Sequence, residues 1–196
     1  MPIVQAPMGW IARSQLAAVV SNSGALGIIE TSSGELDAIR EEILKMRQLT
    51  DKPFGVNVAQ AFVRDPDIVN FIIDQGVKFV TTSAGNPERY TEQLKSAGLT
   101  VFHVVPNLSA AKKAVECGVD GLIVEGGEGG GFKPSRCFNH GVVAAGSLSS
   151  RCANYCCWRF HRRGDYGRGF GPGAEAIQMG TRMVSLSGAE SPVHEN

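Results

Sequence analysis

The sequence predicts an α/β fold, a TIM-type (β/α)8 barrel, on three observations. Short apolar runs recur roughly every 20–28 residues through the first two-thirds of the chain. Each run is continuous in its apolar character, the pattern of strands covered on both faces by helices in a parallel sheet. Polar and glycine-rich residues cluster just after the runs, at Met8-Gly9, Asn57, Thr81–Ser83 and Glu125–Gly131. In a barrel of this type those strand ends build the active-site face. No G-x-G-x-x-G follows the first run, which counts against the doubly wound dinucleotide-binding alternative.

The elements follow in order. Ile3–Ala6 reads as the first strand and Arg13–Ser21 as the first helix. Leu26–Glu30 is the second strand. The helix Glu35–Leu49 behind it places Leu36, Ile39, Ile43 and Met46 on one face. Phe54–Val58 is a strand, and Asp67–Asp74 a helix with Asp65 as N-cap and Pro66 at its first position. Lys78–Thr82 and Thr100–Val105 are strands separated by a helix over Pro87–Ser96. Ala110–Cys117 is a helix and Gly121–Glu125 the sixth strand. Ala176–Gly180 resumes the rhythm as the strand expected to be eighth. Met1 sits directly on the first strand, and the sequence ends 12 residues after Val184. The barrel is therefore expected to be incomplete, cut short at its C-terminus above all.

Composition sets the broad class. The 196 residues are 43% hydrophobic and 19% charged, which suits one globular domain over residues 1–196. Nineteen basic and nineteen acidic residues cancel, so no overall field draws the chain to nucleic acid or an anionic membrane. No apolar run approaches the roughly 20 residues of a membrane span. Residues 1–12 lack the pattern of a signal peptide, so a cytoplasmic location with reduced cysteines is expected. Oligomeric state is not legible.

Residues 137–172 break the rhythm. They hold four of the five cysteines, five arginines, one leucine and no lysine. Cys152, Cys156 and Cys157 are close, but without a second Cys/His pair they match no usual zinc pattern, so no metal is expected. The segment reads either as an inserted loop or as frameshifted coding sequence. Back-translating Cys137–Ala145 and starting one base later permits VSTMVLLPL, and Cys152–Pro172 treated the same way permits VPITAAGGFTDGAIMAAALAL. Both are apolar and periodic. The second is a strand, a Gly-Gly turn and an Ala/Leu helix, and it runs in phase into Gly173. On this reading the seventh strand is lost, which opens the barrel, leaves unpaired edges and makes the chain aggregation-prone.

Four groups carry candidate chemistry. Ala6-Pro7-Met8-Gly9 closes the first strand, and its small residues let backbone approach a flat ligand, or simply turn the chain. Asn57 at a buried strand end offers a donor and an acceptor to a heteroaromatic ring, or caps its own turn. Glu125–Phe132 holds five glycines in eight residues, which suits backbone N–H groups reaching a ligand or a flexible loop. Gln178-Met179-Gly180-Thr181 lies at the eighth strand, where barrels commonly bind phosphate with their last loops.

Taken in order, PIVQAPM (Pro2–Met8), SNSGALG (Ser21–Gly27), FGVN (Phe54–Asn57), EGGEGGGF (Glu125–Phe132) and QMGTR (Gln178–Arg182) resemble the nitronate monooxygenase, or 2-nitropropane dioxygenase, family. The related flavin-dependent enoyl-acyl carrier protein reductases share much of the pattern. The resemblance implies non-covalent FMN on a TIM barrel. It places Ala6, Pro7 and Met8 along the flavin, Asn57 on the isoalloxazine ring, and Glu125 and Gly130 beside the cofactor. Gln178, Met179, Gly180 and Thr181 would help hold the phosphate. Family members oxidise alkyl nitronates with O2, while relatives pass electrons from NAD(P)H to quinones or enoyl thioesters.

One departure bears on catalysis. The best-known members have a histidine after the glycine-rich loop, and this chain has Phe132, which cannot transfer a proton. His103 is the nearest substitute by position, or else a histidine satisfied within its strand. Three functions stay open at this stage. The first is an FMN-dependent nitronate monooxygenase. The second is an NAD(P)H-dependent reductase of quinones or enoyl thioesters, and the third a non-catalytic product of a frameshifted gene that binds FMN poorly.

Overall fold

The computed structural model describes residues 2–32, 34–125, 153–157 and 174–184. The strands are β1 (Ile3–Gln5), β2 (Gly27–Glu30), β3 (Phe54–Ala59), β4 (Phe79–Ser83), β5 (Thr100–Val105), β6 (Gly121–Glu125), β7 (Ala153–Cys157) and β8 (Ala176–Met179). The helices are α1 (Ser14–Asn22), α2 (Leu36–Leu49), α3 (Ile68–Asp74), α4 (Thr91–Ser96), α5 (Leu108–Glu116) and the short α6 (Thr181–Val184). Short 3-10 turns occupy Gln60–Phe62 and Pro87–Arg89.

The strands form one eight-stranded sheet in the order β1-β8-β7-β6-β5-β4-β3-β2, and every pairing is parallel. The two ends of that order meet. Val4 and Leu26 form a parallel bridge, with the Leu26 N–H donating to the Ile3 carbonyl at 2.9 Å and the Gln5 N–H to the Leu26 carbonyl at 2.9 Å. The sheet thus returns to its start, as a (β/α)8 barrel does.

The expected loss of the seventh strand is corrected. β7 pairs with β6 from Gly121↔Ala153 to Glu125↔Cys157 and with β8 from Tyr155↔Ala176 to Cys157↔Gln178. A parallel ladder is made by backbone N–H and C=O groups, so it does not require the apolar run that marks the other strands. The frameshift expectation for the remainder of residues 137–172 lies outside the described residues.

Two apolar layers sit on either side of the sheet. On the helix-facing side, Ile29, Val56, Val58, Val80, Val101, Val105, Leu122 and Val124 pack against Ile39, Ile43 and Met46 of α2 and the buried faces of α3 to α5. On the inner side, Val4, Ile28 and Ala176 pack with Leu26 and Phe79. The rings of Phe79 and Phe102 lie 5.1 Å apart between centroids. Glycines give these rings room. A Cβ on Gly55 would lie 2.7 Å from Phe79, and one on Gly121 2.3 Å from Phe102. Among the described residues the two rings thereby occupy the lower interior, in keeping with a small barrel whose interior is packed with side chains.

Helix starts moved by a residue or two where a side chain caps them. α5 begins at Leu108 because Asn107 Oδ1 accepts from the Ala110 N–H at 2.9 Å. The helix expected over Pro87–Ser96 divides into a 3-10 turn and α4, with Asn86 accepting from the Glu88 N–H. Asp65 does not cap α3; its Oδ1 accepts from the Asp67 N–H in the turn before it. α1 lacks a side-chain cap from its own N-cap residue, Arg13. The carboxylate of Glu42, from α2, accepts instead from the Ser14 N–H at 2.7 Å. Burial would push the Glu42 carboxyl up, but the hydrogen bonds it accepts from Ser14, together with the charges of Lys45 and Arg13, outweigh it and hold the group below its usual range.

Candidate functional site

Strand alternation divides the sequence candidates between the two faces of the sheet. Gly55 meets Phe79 on the inner face, so Asn57, two residues along, and Thr81 and Ser83 on β4 share that face. The same count from Gly121 brings Glu125 inward, and from Ala176 brings Gln178 inward. These residues stand at the C-terminal ends of their strands, above the Phe79 and Phe102 rings. Thr81 Oγ1 donates to Asn57 Oδ1 at 2.8 Å, and the Asn57 amide meets Ser83 Oγ only at 3.4 Å. The buried Asn57 carboxamide is thus held by its oxygen, and its Nδ2 keeps capacity to donate. Of these contacts, Thr81 and Ser83 were marked in the sequence only as a polar cluster. Their pairing with Asn57 follows from the Asn57↔Thr81 register.

β1 and β8 bring two of the motifs together. The Ala6 N–H donates to the Met179 carbonyl at 2.7 Å, and a Cβ on Gly180 would lie 3.4 Å from Met8 Sδ and 3.6 Å from Ala6 Cβ. Ala6, Met8 and Gly180 therefore lie together where β1 and β8 end, with Met8 also packed against the Leu16, Val20 and Ile177 cluster. Met179 contributes its carbonyl. Its side chain packs on the other face with Leu16, Val20, Ile177 and Met183. Thr181 is exposed at the start of α6. Gly130 and Phe132 lie outside the described residues.

His103 is not brought to these residues. It shares the helix-facing side of β5 with Val101 and Val105 and is 3% exposed. Its Nδ1 lies 2.6 Å from Thr82 Oγ1, its register partner on β4. Burial pushes the imidazole down to about 4, against the opposing effect of a hydrogen bond with the Gly85 backbone. The ring is neutral at pH 7 and points away from Asn57.

A second cluster lies at the mouth of the barrel that the sequence did not single out. Glu30 ends β2 on the inner face beside Asn57 and is 1% exposed. A buried carboxylate without partners costs several kcal/mol. Glu30 has four: the Trp10 N–H at 3.2 Å, the Ser32 N–H at 2.6 Å, the Ser32 hydroxyl, and Arg13 Nε at 3.4 Å. Trp10 has φ +63°, a left-handed conformation that costs an L-residue about 1–2 kcal/mol. Its side chain is 64% exposed, with the Arg13 guanidinium 5.4 Å from the ring centroid. The other non-glycine residue with positive φ among those described, Ala84, also follows a strand end, that of β4. No signal in the sequence marks either conformation.

The residues present fit a flat heteroaromatic cofactor such as FMN. Small side chains and a glycine meet where β1 and β8 end, and an oriented amide faces the interior. Among the described residues no group of three or more His, Cys, Asp or Glu is placed to hold a metal. No helix of those residues is long and apolar enough to cross a membrane.

Comparison with known proteins bears on the family and the fold. Residues 1–68 and 59–150 match the family model described as nitronate monooxygenase. A 5-hydroxy-7a-methyl-1-oxo-octahydro-1H-indene-4-carboxyl-CoA dehydrogenase of Mycobacterium tuberculosis is 38% identical over 130 residues, covering 66% of this chain and 37% of that protein. A nitronate monooxygenase of Paraburkholderia phytofirmans is 28% identical over 240 residues, covering 95% of this chain and 64% of that protein. The structure of FabK from Thermotoga maritima superposes with a TM-score of 0.89 at 36% identity, covering 96% of this chain and 60% of that one. Nitroalkane oxidase from Streptomyces ansochromogenes, at 24% identity and a TM-score of 0.83, shares the fold. The chain spans less than two-thirds of the length of the two curated relatives.

Proposed function

This chain belongs to the nitronate monooxygenase family, and from that membership and the site's geometry we propose an FMN-dependent oxidoreductase that exchanges electrons between NAD(P)H and an acyl thioester. The carrying observation is the chemistry of the inner strand ends. Asn57, Thr81, Ser83 and Gln178 are neutral hydrogen-bonding groups, and His103 stands on the opposite face. Among the described residues such a wall orients a ring and a carbonyl without supplying a histidine base. The carboxyl-CoA dehydrogenase relative supplies the substrate class.

FMN, when bound, supplies two-electron exchange between donor and acceptor. Ala6, Pro7, Met8 and Gly180 would line it, and Asn57 would donate to its ring from Nδ2. Thr81 fixes which end of the Asn57 amide is free to do so, because its hydroxyl already occupies Oδ1. By the family resemblance, Glu125 and Gly130 would sit beside the cofactor. Gln178 and Thr181, with the Met179-Gly180 backbone, would hold the phosphate. Phe79 and Phe102 would close the lower interior to water when the cofactor is bound.

A second reading is oxidation of alkyl nitronates with O2. The family description and the Paraburkholderia relative favour it. A nitronate is already an anion, so Phe132 in place of a histidine does not exclude it. Stopped-flow spectroscopy on FMN-loaded protein separates the two. Under anaerobic conditions NADH or NADPH should bleach the flavin, and crotonyl-CoA should then restore its absorbance. A flavin left oxidised by both nicotinamides, together with turnover of ethyl nitronate in air, would replace the first reading with the second.

A further inference from the structure

We propose that Trp10 is a substrate-positioning residue, an aromatic platform at the barrel mouth against which the acyl group of a thioester stacks. The inference rests on the thioester reading above. Three observations converge on it. The Trp10 N–H donates to Glu30, the last residue of β2, which sets Trp10 at the C-terminal, mouth end of the barrel. It is the most exposed large hydrophobic side chain among the described residues. It is also held there by construction. The buried Glu30 carboxylate fixes the Trp10 N–H and the Arg13 guanidinium together, and that guanidinium lies against the indole.

A left-handed backbone favours glycine, so the fold gains nothing locally from a tryptophan at this position. An exposed indole buries little of its own surface. Maintaining both features makes sense when the ring meets a ligand. Exposed aromatic surface matches a ligand with an apolar, flat portion, which the acyl group of an unsaturated or aromatic thioester supplies.

The prediction separates folding from binding. Trp10→Gly removes the ring and relieves the backbone, so it should melt at or above the wild-type temperature. Trp10→Phe keeps an aromatic face. FMN-loaded wild type, Trp10→Gly and Trp10→Phe are titrated calorimetrically with benzoyl-CoA and with free CoA, and FMN affinity is read from flavin fluorescence. Benzoyl-CoA should bind about tenfold or more weakly to Trp10→Gly and within about threefold of wild type to Trp10→Phe. Free CoA and FMN should change by less than about twofold. Unchanged benzoyl-CoA affinity in Trp10→Gly overturns the platform. So does a lower melting temperature in Trp10→Gly, which would make the ring part of the core. If wild type itself binds no benzoyl-CoA, it is the thioester reading that fails.

Discussion

His103 and Glu30 are both buried polar residues near the ends of their strands, and burial gives them opposite roles. His103 is surrounded by valines on the helix-facing side and is kept neutral. Its folded-state value of about 4 lies below the ordinary histidine value of 6.5. Between those values the unfolded chain binds more protons than the folded one, so stability rises with pH through that window. The contribution is present in full above pH 6.5 and is lost as pH falls toward 4, by roughly 3 kcal/mol. Urea unfolding at pH 7 and pH 4.5 should show that loss in wild type and a flatter slope in His103→Gln, which cannot titrate. Equal slopes would mean that the ring is not buried in solution. Glu30 is instead given four donors and serves as an anchor for the loop after β1. Its part was not legible in the sequence. A glutamate before Thr31-Ser32-Ser33 reads equally well as the approach to a helix, and its bond from the Trp10 N–H joins residues 20 apart in the chain.

At the scale of elements, α1 and α2 depend on one another through Glu42. α1 opens without a cap of its own, and the α2 carboxylate meets its first N–H. Glu42→Ala should cost about 1–2 kcal/mol, since it removes a charged acceptor from a helix N-terminus and leaves a buried donor unmet. Glu42→Gln should recover part of it. Chemical denaturation would test this, and a change within about 0.5 kcal/mol would show that water replaces the carboxylate. The α1–β2 side is tight as well: a Cβ on Gly27 would lie 2.1 Å from the Ala17 carbonyl oxygen. Periodicity located α1 and α2 to within about a residue, because the apolar face that must be buried is written into the spacing. It could not show that the helix cap comes from a neighbouring element, since Ser14 and Glu42 are 28 residues apart.

Over the whole molecule, β1 to β6 and β8 were legible because strands buried on both faces must be apolar throughout. β7 was not, since Ala153–Cys157 joins the sheet through its backbone. Of the candidate site, Ala6–Met8, Asn57 and Gly180 stand out in the sequence as motifs. The rejection of His103 needed the parity of β5, which only the assembled sheet displays. The frameshift reading remains a proposal of the same scale. Its shifted text has a strand beginning Val-Pro-Ile-Thr, at the position where β7 lies. Recoding residues 137–145 and 152–172 to that text should raise FMN affinity by at least about tenfold, or 1.4 kcal/mol, in a flavin-fluorescence titration. Equal affinity would show that the natural segment already completes the site. The glycine-seated rings of Phe79 and Phe102 have a consequence for traffic. A barrel stopped at its base is a cul-de-sac. Whatever brings electrons in and whatever carries them away must use the same doorway, so under the proposed function the two ligands take turns, and the first must leave before the second arrives.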